Sequence, residues 1–142
     1  MKMVRDPLPP ESVAAGWALG VFVGCAVPFG IQLVISIPLA MMMRVSKIGA
    51  TAGTFITNPV TIFVIYPMQT VIVNKLLFNG SLTFAHLVEI EWRWDVVRRL
   101  GAEVMVSFFL GGFLLAAVLT PIAYFTVKCV VKAYRSRAEA RK

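Results

Sequence analysis

The chain has 142 residues, of which 58% are hydrophobic and 15% are charged, and its formal net charge is +7. Ordinary soluble domains carry about 25% charged residues, whereas three runs in this chain have no charge: Ser12–Met43, Ile48–Asn74 and Val104–Val127. Because each run exceeds the ~20 residues that a helix needs to cross a bilayer, the composition excludes an ordinary soluble domain. It predicts an all-α integral membrane protein in which residues 1–142 form a single membrane domain.

The positive charge does not indicate a nucleic-acid partner, because it is concentrated in one place. Six cations lie at or beyond the end of the last apolar run: Lys128, Lys132, Arg135, Arg137, Arg141 and Lys142. Cations that flank a membrane span on its cytoplasmic side are the pattern of the positive-inside rule. We therefore expect a cytoplasmic C-terminal tail in contact with membrane lipids, and no nucleic acid.

The first apolar segment is too long for a simple membrane helix. Residues 1–11 contain three prolines and predict an N-terminal tail. The segment that follows, 12–43, would be about 48 Å long as one straight helix. That is too long for one untilted span of a ~30 Å bilayer core and too short for two spans with a turn. Pro28 and Gly30 stand near its centre, so we expect a break there, in a kinked or re-entrant helix.

The second apolar segment, 48–78, has a similar length and a similar interruption, the sequence TNPVT at residues 57–61. Its Pro59 lies 31 residues after Pro28, and two glycines precede the proline in each segment. Interrupted helices at corresponding positions of two repeats point to transporter binding sites. The two segments therefore predict a weak internal repeat with a break in each half.

Two helices are expected in the remainder of the chain. Residues 83–100 place apolar side chains at helical spacing and contain oppositely charged pairs four residues apart, which predicts an amphipathic helix at the membrane interface. The alternation of charged and apolar residues in 89–95 also fits a strand, but a strand there would have no partner beside a bilayer. Residues 102–134 predict one long transmembrane helix, followed by a basic tail at 135–142.

Polar side chains near the two breaks are the candidates for a functional site. In hydrocarbon, irregular backbone is tolerated only if it is buried in protein or lines a wet cavity. The two breaks can therefore satisfy each other's hydrogen bonds, or the same groups can line the path of a polar or anionic substrate. The substrate-path candidates are Pro28, Gly30, Gln32, Thr54, Thr57, Asn58, Pro59 and Thr61.

Two further sets of residues have a structural and a functional interpretation. Arg44 and Lys47 follow the first segment, where they either mark the membrane interface or form an entrance for phosphate groups. Gly16, Gly20 and Gly24 share one helical face and predict close helix packing, with the same chain or another copy as the partner.

No catalytic, cofactor or metal site is expected. The uncharged runs contain no acidic residue, and Ser36 and Ser107 have no nearby histidine to activate them. Cys25 and Cys129 do not have metal-ligand spacing, and His86 is the single histidine. We therefore predict that the protein is not an enzyme and binds neither a metal nor a cofactor.

One ordered set of residues resembles a known family. Gly20, Phe22, Gly24, Pro28, Gly30 and Gln32 are followed by Arg44, Gly53, Thr54, Asn58, Pro59, Thr61 and Tyr66. This order is similar to the bacterial membrane-protein family of the domain of unknown function "twenty sixty-two". Ser46 stands where family members usually have asparagine. Because some relatives are fused to glycosyltransferase domains, the resemblance implies an inner-membrane location and the handling of polyprenyl-phosphate-linked sugars or other lipids.

The leading hypothesis is a small, multi-pass, oligomeric transporter or lipid flippase, with polyprenyl phosphate as a candidate substrate and with the two breaks lining a site near the bilayer midplane. The alternative is a non-transporting scaffold or regulatory partner of a membrane glycosyltransferase. Topology stays open. If all three apolar runs cross the membrane, eight Lys and Arg residues lie on one side and six on the other. If both broken segments are re-entrant, the two sides again carry eight and six.

Overall fold

The computed structural model describes residues 8–77 and 94–140, apart from the side chains of residues 94–103 and 139. Within these ranges the chain forms five helices and no strand. The helices are α1 (Pro10–Ala26), α2 (Gln32–Met42), α3 (Lys47–Thr54), α4 (Ile62–Leu77) and α5 (Trp94–Glu139). The all-helical prediction is confirmed for the described part of the chain.

α5 is longer than the sequence predicts. It has 46 residues and passes without interruption through positions 100–102, where we predicted that one helix ends and another begins. Gly101 does not end the helix, because an interior glycine costs only about 1 kcal/mol relative to alanine. Residues 83–93 of the predicted amphipathic helix lie outside the described residues. Among the described helices, α5 alone is long and apolar enough to cross a membrane, judged by length and composition over Val104–Ala138.

α1 packs between α3 and α5, and its glycines face α3. In chain order, Gly16 contacts Ser46, Gly20 contacts Ala50, and Gly24 contacts Thr57. Because both sets of numbers rise together, α1 and α3 are parallel. The close approach requires glycine, since a Cβ at Gly20 would overlap the carbonyl oxygen of Ala50. The partner of this glycine face is therefore the same chain.

α2 returns from the end of α1 to its beginning. Its first residue, Gln32, lies beside Thr57 in the segment after α3. After α2, the backbone N–H of Ser46 donates to the carbonyl oxygen of Ser12 at 3.2 Å. The Ser12 hydroxyl also donates to the carbonyl oxygen of Arg44, at 3.5 Å. α1 and α2 thus form a hairpin whose two ends meet.

α4 leads away from this hairpin along α5. α1 contacts the C-terminal part of α5 through Val13 and Ala14, which pack on Val127 and Val131, and then Gly112 through Cys25. α4 contacts the N-terminal part of α5, where Gln69 lies against Gly111 and Asn74 against Ser107. α1 and α4 therefore lie one after the other, both antiparallel to α5. This arrangement gives the molecule two ends. The basic end contains Glu11, residues 44–47 and Lys128, and the far end contains Leu77 and Val104.

Glu11 forms ion pairs between α1 and α5 at the basic end. Its Oε1 lies 3.1 Å from Nζ of Lys132 and 3.5 Å from Nζ of Lys128. A hydrogen bond with its own backbone N–H, and then the bond to Lys132, hold the pKa of the Glu11 carboxyl below its usual range. Arg135 also donates to the carbonyl oxygen of Leu8 at 2.9 Å. Lys128, Lys132 and Arg135 of the C-terminal basic region therefore contact residues at the start of α1 and just before it.

Candidate functional site

The first interruption, between α1 and α2, is a tight turn. The backbone N–H of Ile31 donates to the carbonyl oxygen of Pro28 at 3.4 Å, and Gly30 has a φ of +99°. A positive φ at the third position of a β-turn is characteristic of type II and favours glycine. Gly30 has open space where a Cβ would be. Pro28 and Gly30 therefore shape the turn that joins α1 to α2.

The second interruption, between α3 and α4, is closed by Asn58 and Thr61. Oδ1 of Asn58 accepts hydrogen bonds from the N–H groups of Val60 at 2.9 Å and Thr61 at 3.0 Å. Oγ1 of Thr61 accepts one from the N–H of Asn58 at 2.8 Å. This reciprocal arrangement matches the capping box of a helix start, and Pro59 follows the cap, where the missing N–H of proline is tolerated. Both side chains therefore accept hydrogen bonds from the backbone of the turn.

Gln32 and Thr57 connect the two interruptions. Their side chains, together with the carbonyls of Gly24 and Thr54, form a buried polar cluster that we call the junction. Gln32 Nε2 donates to the carbonyl oxygens of Thr57 at 3.3 Å and Thr54 at 3.5 Å. The Thr57 hydroxyl lies 3.0 Å from Gln32 Oε1 and from the carbonyl oxygens of Gly24 and Thr54. It has one proton and donates to one of these three acceptors at a time.

The junction is closed in this conformation. Gln32 is 3% exposed and Thr57 is fully buried, and the side-chain nitrogen and oxygen atoms of both have partners. The Thr54 hydroxyl donates to the carbonyl oxygen of Thr51 at 2.7 Å. Of the substrate-path candidates, Gln32, Thr54 and Thr57 come together here. The other five lie in the two turns.

Arg44 and Lys47 lie in the link at the basic end. Both are exposed, and Arg44 has a φ of 56°. Ser46, between them, is buried, and its Oγ accepts a hydrogen bond from the N–H of Gly49 at 2.9 Å, which caps α3. The two phosphate-entrance candidates are therefore presented at the start of a helix, where the helix dipole favours anions.

A polar seam between α4 and α5 was not among the predicted sites. It comprises Gln69, Thr70, Asn74 and Ser107, each 4% exposed or less. Gln69 Nε2 donates to the carbonyl oxygen of Phe108 at 3.5 Å, and Asn74 Nδ2 donates to Ser107 Oγ at 3.4 Å. Within the described part of the chain, Oε1 of Gln69 and Oδ1 of Asn74 have no partner. In the sequence, the sign of this seam is that Thr70 and Asn74 stand four residues apart in an apolar run, and therefore on the same face of a helix.

The comparison with protein families agrees with the motif order of the sequence. Over residues 1–140, the chain matches the family described as "uncharacterized protein conserved in bacteria (DUF2062)". The chain belongs to this family. The family predicted from the order of glycines, prolines and polar residues is thereby confirmed. No curated protein and no solved structure matches the chain.

In this DUF2062 protein, several of the residues that carry the resemblance lie in one packing unit. Gly20 and Gly24 contact α3, and Gln32 and Thr54 belong to the junction. The Tyr66 hydroxyl donates to the carbonyl oxygen of Val27, which the first interruption leaves outside a helix, at 3.1 Å. The motif therefore describes how the α1–α2 hairpin is held against α3 and α4.

Proposed function

We propose that this protein is a multi-pass protein of the bacterial inner membrane, with the basic end at the cytoplasmic face. The surface of α5 supports insertion, because Phe113, Leu114, Val118, Ile122 and Phe125 are each 50–63% exposed. Such a surface suits lipid, and in water it would form a large apolar patch. Of the seven cations with described side chains, six lie at the basic end and Lys75 lies toward the far end. This distribution agrees with the positive-inside rule.

The helix arrangement supports a mixed topology. The α1–α2 hairpin begins and ends at the basic end, so we propose that the first segment is re-entrant. α3 and α4 have 8 and 16 residues and together rise about 36 Å, enough to cross a ~30 Å core. α5 then crosses in the opposite direction. In this topology residue 8, the 44–47 link and the C-terminal end of α5 share the cytoplasmic side.

Within this topology, the protein acts as a small transporter or lipid flippase, and the junction is the closed gate of its path. The observation that carries this proposal is a buried glutamine–threonine cluster where two helix interruptions meet. Cys25 and Ala26, beside the junction, contact Gly112, which lies about 12 Å along α5 from Val104. The junction is therefore inside the apolar layer. Polar groups at such depth are typical of substrate paths.

The proposed substrate is a lipid phosphate such as polyprenyl phosphate, because exposed cations stand at the basic end. We also propose that the working form is a homo-oligomer. Apolar side chains on α2 and α4 are available for contact with lipid or another copy, since Val34 is 70% exposed and Leu76 is 75% exposed.

One observation favours a second candidate, a non-transporting scaffold for a membrane glycosyltransferase. Gln32 Nε2 donates to the carbonyl oxygens of Thr54 and Thr57, and the Thr57 hydroxyl has Gln32 Oε1 as one of its acceptors. A polar cluster satisfied in this way fixes a unique packing of helices without any ligand. In that case the junction is structural, and the exposed apolar faces would hold the partner enzyme.

Reconstitution in liposomes tests the transport proposal. The wild-type protein should move a labelled lipid phosphate across the bilayer. Gln32→Ala should lower the rate at least tenfold per folded molecule, because it removes the side chain that links the two interruptions. Cys129→Ser is the control, because Cys129 is exposed on α5 and should leave the rate unchanged.

The same experiment separates the two candidates. If the wild-type protein moves neither lipid phosphates nor ions, and a membrane glycosyltransferase co-purifies with it, the scaffold is supported and transport is contradicted.

A further inference from the structure

An open apolar groove lies between α3 and Ile37 of α2. It has a volume of about 390 Å³ and is lined by Ile37, Lys47, Ile48, Thr51, Ala52 and Phe55. Five of these six residues are uncharged, and Lys47 is the single cation of the lining. The groove therefore offers an apolar wall with one positive charge.

The groove leads from the basic end toward the junction. Lys47 is the first residue of α3, and Phe55 directly follows its last residue. Phe55 is eight positions after Lys47, which corresponds to a rise of about 12 Å along the helix. Phe55 is followed two residues later by Thr57 of the junction. A chain lying in the groove with its polar group at Lys47 would reach the level of the junction.

The two cations nearest the groove differ from Lys128 and Lys132 of α5: Lys47 lines the groove, and Arg44 stands three residues earlier, in the link at the basic end. Lys128 and Lys132 share the carboxylate of Glu11. Arg44 and Lys47 are exposed, and within the described part of the chain neither forms an ion pair. They stand beside the capped start of α3, where the helix dipole adds to the positive potential. The mouth of the groove is therefore complementary to an anion.

We propose that this groove binds one acyl chain of an anionic phospholipid, with the phosphate held by Arg44 and Lys47. The charge at the mouth and the apolar wall match the two parts of such a lipid. The inference rests on the proposed membrane insertion, and it gives the proposed lipid path an entrance at the cytoplasmic face. It does not require that the protein transports the lipid.

Lipid retention by the purified full-length protein tests the proposal. The protein is equilibrated in detergent micelles that contain equal amounts of phosphatidylglycerol and phosphatidylcholine, and bound lipid is counted by native mass spectrometry. The wild-type protein should retain one phosphatidylglycerol in preference to phosphatidylcholine. The double variant Arg44→Gln, Lys47→Gln should weaken retention about thirtyfold, in line with the contribution of two interfacial cations.

Matched variants separate the groove from general attraction of lipid to a basic protein. Lys75→Gln removes an exposed cation toward the far end and should leave retention unchanged. Ala52→Phe fills the groove and should reduce retention, whereas Ala117→Phe adds the same side chain to an exposed position of α5 and should not. Thr51→Leu is a smaller filling variant for use if Ala52→Phe does not fold.

Two results would overturn the proposal. One is an equal loss of retention in Lys75→Gln and in the Arg44, Lys47 double variant. The other is full retention when the groove is filled by folded Ala52→Phe or Thr51→Leu. A protein that retains the lipid selectively but does not move it in liposomes contradicts the transport proposal and leaves the lipid site standing.

Discussion

Gln32 and Gln69 are both buried, and their hydrogen bonding differs. The carboxamide of Gln32 has partners on both its nitrogen and its oxygen. Gln69 has one bond of 3.5 Å from its nitrogen, and its oxygen has no partner in the described part of the chain. Because an unpaired buried acceptor costs about 1–3 kcal/mol, the two side chains should contribute with opposite sign to stability.

The same substitution at both positions tests this difference. Gln32→Met should lower the free energy of unfolding by about 1–3 kcal/mol, since it leaves the groups around Thr57 without their partner. Gln69→Met should have an effect within about 0.5 kcal/mol or raise stability, since it removes an unpaired oxygen. Thermal melting of both variants in detergent measures the contrast. Equal losses of melting temperature would show that the junction has no special stabilising role.

Asn58 shows where residue-level prediction from the sequence is incomplete. The sequence NPVT marks a polar break in an apolar run, which makes Asn58 and Thr61 candidates for a substrate path. It also has the spacing of a helix start, with a cap, a proline and a hydroxyl three residues after the cap. Composition alone does not reveal which backbone groups these side chains bind. In the structure they bind the turn itself.

At the scale of elements, the two apolar segments begin alike and end differently. Each starts with a helix whose glycines face the other, since Gly20 approaches Gly53 and Gly49 approaches Trp17. The repeat of glycine and proline therefore predicts which helices approach closely. It does not predict that α2 folds back while α4 continues along α5. That difference depends on distant contacts such as those from Ser12 to Arg44 and Ser46.

A single methyl group tests the α1–α3 contact. In Gly20→Ala, the added Cβ would overlap the backbone of α3 at Ala50, and backbone cannot move aside as a flexible side chain can. We expect a loss of about 1–3 kcal/mol in the free energy of unfolding, measured by thermal melting.

The control for this experiment is Ala117→Leu, which adds a larger group at an exposed position of α5 and should leave the melting temperature unchanged. If Gly20→Ala instead changes the oligomer size but not the melting temperature, the glycine face is a contact between copies and the intrachain assignment is contradicted.

At the scale of the whole molecule, composition predicts the fold class and the apolar α5. Counting charges does not determine the topology. Whether all three apolar runs cross or both broken segments are re-entrant, the two sides of the membrane carry eight and six Lys and Arg residues. The arrangement that we propose is a third one, in which one segment returns and the other crosses. Hydrogen bonds between residues more than thirty positions apart, as from Ser12 to Arg44, distinguish it, and a single sequence does not reveal such pairs.

The central claim is this mixed topology, and cysteine accessibility tests it most directly. Single cysteines replace Leu8, Lys47, Lys75 and Ser136 in a Cys129→Ser background, where the remaining Cys25 is buried. Intact cells are then treated with a membrane-impermeant thiol reagent. We predict that the Lys75→Cys variant is labelled from outside, and that the other three react only after the cells are opened.

Each alternative gives a different pattern in this measurement. If all three apolar runs cross, the cysteines at positions 8 and 75 share one side, and those at 47 and 136 share the other. If both segments are re-entrant, position 136 is alone on its side. Either pattern, or labelling of every cysteine from both sides, would contradict the mixed topology, whereas labelling of position 75 alone from outside is the result that it predicts.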